Sequence, residues 1–327
     1  MASYRQRNGK WQARVLRDGY PDQTKTFATK VDAEKWARSI EAAIDRGVFV
    51  NVNEAQRTTF SEVIERYLTE VTPSMKGASE DTIRLKAMMR KPIARWSMAN
   101  LSAARVAVYR DERLKEVSAG TVIRELAYLS AIINHARKEW GINIPNPVQM
   151  VRKPQSPQAR SRVLTDVEVF NLLHSLEPTG RRSHWTKPVV QLALATAMRR
   201  GELLSLRWEH VDLQAQTAFL PNTKNGDSRT VPLSSVAIQV LASLPRHISG
   251  VVIPVKFFTL DAAFKRARKR AGLDDVRFHD LRRTAITRMA EKLPNVIELA
   301  AVSGHKSLMV LKRYYRPTAM ELAKKLG

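Results

Sequence analysis

Residues 279–282 read His-Asp-Leu-Arg and stand directly before an apolar pattern of helical period. His279 and Arg282 are three positions apart, so at the start of a helix they project from the same face. Asp280 is suited to cap that helix. A histidine and an arginine side by side at a helix N-terminus can bind an anion. A solvent-exposed helix face could carry the same pair, so this prediction depends on matching groups elsewhere in the chain.

Further cations and a tyrosine complete a candidate site. Its members are Arg199, Lys224, His279, Arg282, His305 and Tyr314. They lack both a carboxylate cluster and the paired-histidine spacing of a metal site, so metal-assisted hydrolysis has little support and no cofactor is expected. Arginines can stabilise the charge of a phosphoryl transition state, and a tyrosine can supply a covalent nucleophile. These residue types therefore favour phosphoryl transfer without a metal.

Each group alone also has an ordinary explanation. Arg199 follows an apolar helix, where the helix dipole favours a cation. Lys224 in a polar turn could simply face solvent, and His305 after Gly304 could be a hydrogen-bonded turn residue. The chemical interpretation is favoured because all of them occur together in one order.

That order and the flanking residues resemble the tyrosine recombinase family, also called phage integrases. The matching segments are residues 196–204, 223–226 with 229–233, 279–282, 303–308 and 312–314. Each segment is weak alone, but together they keep the family's order and spacing. The preceding helical block is similar to the family's core-type DNA-binding domain. The first fifty or so residues are similar, less specifically, to the small sheet domain that many integrases use on arm-type sites.

The resemblance implies a covalent mechanism centred on Tyr314. This tyrosine would attack the scissile phosphate, form a 3′-phosphotyrosyl link and release a 5′-hydroxyl. Arg199 and Arg282 would bind the phosphate oxygens. The link conserves the phosphodiester energy, so neither ATP nor a metal is needed, and rejoining to a different 5′-hydroxyl gives recombination.

The resemblance gives the remaining groups supporting roles. Lys224 would protonate the leaving 5′-oxygen, and His279 would assist proton transfer at the nucleophile. His305 would hydrogen-bond the transition state. Ala197 departs from the family pattern, where glycine is common, and Arg283 and Arg316 stand where histidine is frequent. None of these departures removes a catalytic group.

The neighbouring Tyr314 and Tyr315 are both possible nucleophiles. Tyr315 continues an apolar stripe through Leu308 and Leu311, so it is better explained as a residue of the apolar face. Tyr314 lies off that stripe and at the family spacing from His305. Tyr314 is therefore the predicted nucleophile.

The composition indicates a polyanionic partner. Among 327 residues, 55 lysines and arginines outnumber 31 acidic residues, a net charge of +24. Nucleic acid is the leading partner for such an excess, ahead of an anionic membrane surface. The chain has no cysteine, which excludes disulfides and thiolate metal sites. It also lacks an apolar run long enough for a membrane span, so a cytoplasmic protein of a bacterial, phage or mobile-element source is expected.

Periodicity predicts a mainly α protein with small β elements in several domains. Short strands between residues 4 and 27 precede a helix over 30–46, and the polar residues 50–59 are predicted to be a linker. Helical spacing dominates 60–140. Thr165 and Glu168 form a capping box at a helix start. The last part adds strands over 217–220 and 229–233 with a hairpin turn near Lys224, a helix over 259–272 and a helix through 313–316.

These elements predict three domains and a linker. Residues 1–55 are the arm-type DNA-binding domain, 58–150 the helical core-type domain, 151–162 the linker and 163–327 the catalytic domain. Basic residues on the predicted strands and helices are candidate DNA contacts. They are Arg5, Arg14, Lys76, Arg84, Lys86, Lys265, Arg268 and Lys269.

The expected function is site-specific DNA recombination of the integrase type. The resemblance implies a homotetramer on paired sites in double-stranded DNA, with a C-terminal helix docked on a neighbouring subunit and accessory DNA-bending proteins as further partners. A regulator that binds DNA on the same scaffold without cutting it is the alternative from another class. A type IB topoisomerase would use similar chemistry without site specificity.

Overall fold

The computed structural model describes residues 2–46, 52–180, 183–221 and 228–314, together with the single positions 320, 323, 326 and 327. The chain divides into two compact units, Met1–Gln158 and Ala159–Gly327, and the division falls within residues 151–162. Within the described ranges, no helix is long and apolar enough to cross a bilayer.

The first unit begins with a small antiparallel sheet backed by one helix. Strands β1 (Ala2–Arg7), β2 (Lys10–Val15) and β3 (Gln23–Phe27) pair in that order, and α1 (Lys30–Asp45) follows. Asn8 and Gly9 both have positive φ, 50° and 72°, which permits the two-residue turn between β1 and β2. The side chains between sheet and helix form a core of their own. This confirms the predicted three-stranded sheet and helix.

The rest of the first unit is helical. Its helices are α2 (Val52–Arg57), α3 (Phe60–Glu70), α4 (Ala78–Met89), α5 (Ala103–Glu116) and α6 (Ala119–Glu139), with short 3-10 turns between and after them. Interpreting residues 50–59 as a linker was wrong over 52–57. These residues form α2, and Ala55 is fully buried in the core of the helical part.

The second unit surrounds a small sheet with helices. It runs α7 (Asp166–Ser175), α8 (Thr186–Thr196), α9 (Arg200–Ser205), β4 (Val211–Asp212), β5 (Thr217–Leu220), β6 (Arg229–Pro232), α10 (Ser235–Ala242), α11 (Phe257–Arg270), α12 (Phe278–Lys292), α13 (Val296–Ser303) and α14 (Leu308–Leu311). The strands pair antiparallel in the order β4-β5-β6. The capping box of Thr165 and Glu168 at the start of α7 is present as predicted.

Two predictions for the second unit need correction or lie beyond the description. The helix predicted through residues 313–316 ends at Leu311, and residues 312–314 form a turn in which the Tyr314 N–H donates to the Leu311 carbonyl at 2.9 Å. The predicted hairpin tip, with Lys224, lies outside the described residues. Helices α10 and α13 and strand β4 were not predicted, because they are short and their periodicity is weak.

Candidate active site

Helix α12 carries two members of the candidate site in its first turns. The helix begins at Phe278 with Arg277 in the cap position. Asp280 lies inside the first turn, where its carboxylate accepts the Arg277 backbone N–H at 2.8 Å. The prediction that Asp280 is the cap was wrong, because the helix begins before it.

The Asp280 carboxylate is held by a distant arginine. Arg160 Nε lies 3.0 Å from each carboxylate oxygen, and Arg160 Nη2 donates to the Asp275 carbonyl at 2.7 Å. Asp280 is 2 % exposed and the Arg160 side chain 34% exposed, so water reaches this ion pair from the arginine side only. The pair fastens the segment before α7 to the helix turn that carries His279 and Arg282. Sequence reasoning missed Arg160, whose only sequence signal was a basic linker.

Arg282 is buried and bridges two backbone segments. Its Nη1 donates to the Ala197 carbonyl, and its Nη2 donates to the Ser303 carbonyl at 2.6 Å. Ala197 ends α8 with φ 52°, the left-handed region that favours glycine. Burial, followed by the charge of Arg199, lowers the pKa of Arg282 to about 10, so this arginine remains cationic at neutral pH. Held by two carbonyls, it keeps its remaining N–H groups for an anion.

Glu202 orients Arg199 and a second arginine. Its Oε1 accepts from Arg199 Nη1 at 2.7 Å, and its Oε2 accepts the Arg199 backbone N–H and Arg229 Nη2, each at 2.8 Å. Burial by itself would raise the pKa of Glu202. The Arg199 N–H and the two guanidinium charges outweigh burial and hold the pKa below its usual value. The expectation that Glu202 is structural and pairs with an arginine agrees with these contacts.

Arg229 was missed by sequence reasoning, although it lies in one of the matching segments. Its Nη1 donates to the Val302 carbonyl at 2.7 Å. Gly304 has φ 68°, and a Cβ added there would stand 2.7 Å from Arg229 Nε. Only glycine therefore lets the chain pass so close to this guanidinium, and the following residue, His305, is placed against the arginine cluster.

Both histidines are neutral at neutral pH. Burial, then the charges of Arg282 and Arg199, lower the pKa of His305 to about 4. Partial loss of hydration, then Arg282 and Arg283, lower the pKa of His279. His305 Nδ1 lies 2.7 Å from the Ser303 hydroxyl. Neutral imidazoles can accept or donate a proton, according to which ring nitrogen is free.

Tyr314 is half-buried beside this cluster. Its ring centroid lies 6.3 Å from that of His305, and the Arg283 guanidinium carbon lies 5.4 Å from the ring. Its ring packs with Leu311 against the core formed by α12 and α13. Tyr315 and Lys224 lie outside the described residues, so the choice between the two tyrosines and the role of the lysine remain predictions.

A cleft of about 390 Å³ opens beside the arginine and histidine cluster. Its cationic and histidine lining comprises Arg199, Arg200, Lys265, Arg268, Arg277, His279 and Arg282. Asp261 also lines it, and this carboxylate pairs with Arg200 at 2.7 Å and Lys265 at 2.9 Å. The cleft therefore has the charge and shape to take a phosphate and the chain attached to it.

Family models match two parts of the chain. The phage integrase family matches residues 162–321, and the phage integrase N-terminal domain matches residues 56–154. A shufflon-specific DNA recombinase of Escherichia coli is 39% identical, and the match covers 83% of this chain and 72% of the relative. The chain belongs to the phage integrase family.

Solved structures of family members share the fold. A lambda integrase dimer bound to a COC' core site superposes with a TM-score of 0.66 at 21% identity, covering 96% of this chain and 94% of that chain. A lambda integrase tetramer bound to a Holliday junction gives a TM-score of 0.64 at 20% identity, covering 93% and 95%. The integrase fold therefore extends over nearly the whole chain.

Most of the predicted DNA contacts of this integrase are exposed. Arg5, Lys76, Lys86 and Lys269 lie on the surface with Arg14, Arg84 and Lys265, whereas Arg268 is partly buried. Arg14 and Arg84 already pair with Asp22 and Asp81, at 2.6 and 3.0 Å. Arg268 Nη1 donates to the Val276 carbonyl, which ties one side of its guanidinium to the protein. DNA contact by all eight residues remains a prediction.

Replacing Glu202 with glutamine is expected to lower the free energy of unfolding by about 3 kcal/mol, because it leaves two partly buried arginines without their counter-charge. Glu202 is 5 % exposed. Its folded pKa lies below the unfolded value, so the carboxylate stabilises the fold above the unfolded pKa. That contribution disappears as pH falls through the folded pKa. Denaturant unfolding at pH 7 and below pH 4 measures both effects.

Glu209 provides the matched control. It pairs with Arg207 at 2.6 Å, and its side chain is 61% exposed. Glu209→Gln should cost less than about 1 kcal/mol, since exposed ion pairs contribute little. Equal losses for the two variants at pH 7 would contradict the role given to Glu202.

Replacing Arg160 with glutamine is expected to destabilise the second unit by about 3 kcal/mol, because the Asp280 carboxylate would remain buried without its cation. Arg288→Gln is the control, since Arg288 pairs with Asp166, whose side chain is 95% exposed. Thermal unfolding of both full-length variants makes the comparison. A melting temperature for Arg160→Gln equal to that of the control would show that the Arg160 contact adds no stability.

Proposed function

We propose that this chain is a site-specific DNA recombinase of the integrase type that cuts and rejoins DNA through a 3′-phosphotyrosyl intermediate, without ATP or a metal. The observation that carries this proposal is the convergence of Arg199, Arg282, His279 and His305 beside the ring of Tyr314. These groups come from the α8–α9 junction, α12 and the segments after α13 and α14, so the fold gathers residues more than 100 positions apart.

The arginines bind the scissile phosphate. Arg282 is fixed by the carbonyls of Ala197 and Ser303, and Arg199 by Glu202. Both guanidiniums are therefore preorganised and need little rearrangement as charge develops on the non-bridging oxygens. Guanidinium N–H groups match the geometry of such oxygens.

Tyr314 forms the covalent link. Its hydroxyl oxygen attacks phosphorus, and the bond to the 5′-oxygen breaks. Neutral His279 accepts the phenol proton, and Lys224 donates a proton to the leaving 5′-oxygen. In the reverse direction a 5′-hydroxyl attacks the phosphotyrosine, and the same groups return their protons. The energy of the original phosphodiester is retained, so the two directions are nearly balanced.

The other parts of the chain hold the DNA. The sheet part serves as the arm-type DNA-binding domain, the helical part from α2 to α6 as the core-type domain, and residues 151–162 as the linker. The exposed basic residues named above track the phosphates. The active form is a homotetramer on paired sites, with accessory proteins that bend the DNA and with the C-terminal segment docked on a neighbouring subunit. The DNA substrate and the absence of cysteine support work in the bacterial cytoplasm.

Covalent capture tests this function. The protein is mixed with sheared DNA from the genomic neighbourhood of its own gene and denatured in detergent, and the DNA that remains attached is sequenced. We expect discrete adducts at one short sequence, formed in the presence of a metal chelator and without ATP. Specific binding that never yields an adduct would instead favour the non-catalytic regulator. Adducts at unrelated sequences would favour a topoisomerase.

A further inference from the structure

The hydroxyl of Ser303 contacts two partners in the buried end of α13. Its Oγ lies 2.6 Å from the Leu299 carbonyl oxygen and 2.7 Å from His305 Nδ1. Ser303 is 0 % exposed, so water cannot replace either contact. A hydroxyl has one proton, and a carbonyl oxygen can only accept. The Ser303 proton therefore goes to Leu299, and Oγ must accept a proton from the imidazole.

The opposite arrangement is unfavourable. If the hydroxyl donated to His305 Nδ1, two oxygen lone pairs would face each other at 2.6 Å in a buried site. Facing lone pairs repel each other, and no water can enter this buried site to separate them. Back-bonding of a helical serine to the carbonyl four residues before it is also a common local hydrogen bond.

We propose that Ser303 is a positioning residue that fixes neutral His305 in the Nδ1–H tautomer, so that binding of a phosphate anion at the arginine cluster favours protonation of Nε2. The phosphate part of this inference rests on the proposed function. In the fixed tautomer Nε2 has a lone pair and cannot donate to a phosphate oxygen. Only the imidazolium, with a proton on each nitrogen, can hold both Ser303 and the anion.

The cations around His305 oppose its protonation until an anion binds beside them. Arg282 and His279 face it from α12, Arg199 from the α8–α9 junction and Arg229 from β6, and all of them disfavour a further positive charge. The Tyr314 ring centroid lies 6.3 Å from that of His305, and the Glu202 carboxylate is shared between Arg199 and Arg229. A bound anion offsets this excess of positive charge, so it raises the affinity of Nε2 for a proton.

Imidazole nitrogen-15 NMR of the full-length protein tests the tautomer directly. His305→Gln assigns the signals, and sulfate serves as the anion probe because it keeps its charge across the pH range. At pH 7 without sulfate we expect Nδ1 protonated and Nε2 bare. Sulfate at constant ionic strength should raise the pKa of His305 by at least about one unit, a tenfold change in proton affinity. A neutral Nε2–H tautomer in the free protein, or no change with sulfate, would overturn the proposal.

Two variants and one reference histidine make the test specific to Ser303. Ser303→Ala should move neutral His305 toward the Nε2–H tautomer, and Ser303→Thr should restore the Nδ1–H form. His247 is an internal reference, because its Nδ1 accepts the Ser249 backbone N–H at 3.2 Å and its neutral form is therefore Nε2–H. If Ser303→Ala folds and keeps the Nδ1–H form, the role of Ser303 is refuted. If that variant does not fold, the wild-type spectrum still decides the tautomer.

The result is separable from the proposed function. The tautomer of the free protein requires neither DNA nor cleavage. The expected spectrum without any covalent DNA adduct would refute the recombinase and leave the Ser303 assignment intact. An adduct together with the Nε2–H tautomer would refute only the inference about Ser303.

Discussion

Replacing Tyr314 with phenylalanine is expected to abolish covalent capture of DNA while leaving DNA affinity within about twofold, since many other phosphate contacts carry the binding. The substitution removes one oxygen atom and keeps the ring that packs with Leu311 against the core of α12 and α13. The fold should therefore lose less than about 1 kcal/mol, as for other changes that remove no packing. Detergent-resistant adduct, DNA binding and thermal unfolding are measured on the same preparation.

Tyr315→Phe is the matched control, because it removes the same atom from the neighbouring residue. It should form the adduct at close to the wild-type rate. An adduct that survives in Tyr314→Phe and disappears in Tyr315→Phe would move the nucleophile to Tyr315. Loss of the adduct in both variants with normal unfolding would mean that the two hydroxyls act together. Retention in both would exclude tyrosine chemistry at this position.

The parts of the fold that the sequence predicted are those governed by local pattern. The three-stranded sheet and α1, the long helices of the first unit and the capping box at Thr165 depend on residues within a few positions of one another. Periodicity and capping report such contacts directly. Helix α2 was missed because it is only six residues long, and Ala55, buried in the core of the helical part, is too small to give a clear apolar pattern.

Five of the six predicted site residues can be located in the described structure, whereas Lys224 lies outside the described residues. The resemblance supplied Arg199, His279, Arg282, His305 and Tyr314, and the fold brings these five together. The residues that hold them were not predictable, because their partners are far apart in sequence. Arg160 and Asp280 are separated by 120 positions, and Arg229 and Val302 by 73. No periodicity carries information about such pairs.

Arg282→Lys is expected to slow covalent adduct formation by about 10²–10³-fold, the usual cost of removing one preorganised donor from a transition state. The guanidinium spans the carbonyls of Ala197 and Ser303 and still has N–H groups for the phosphate. A lysine ammonium has three donors on one nitrogen and does not reproduce the planar guanidinium, which uses two nitrogens for the two carbonyls. DNA affinity should fall only a few-fold, because this contact is one of many. Arg288→Lys, on the same helix and paired with exposed Asp166, should keep the wild-type rate.

The pH dependence of this variant distinguishes loss of the positive charge at position 282 from loss of the guanidinium geometry. Burial and Arg199 lower the pKa of Arg282 to about 10, yet the arginine stays charged at neutral pH. A lysine starts from a lower intrinsic pKa, so the same surroundings bring it closer to neutrality. It would then lose its proton as pH rises, and the ratio of wild-type to variant rates should widen from pH 6 to pH 9. A constant ratio would mean that the lysine keeps its charge. Loss of the guanidinium geometry would then account for the whole decrease in rate. A rate within about tenfold of wild type at every pH, a loss of under 1.4 kcal/mol, would mean that Arg282 only holds the backbone together.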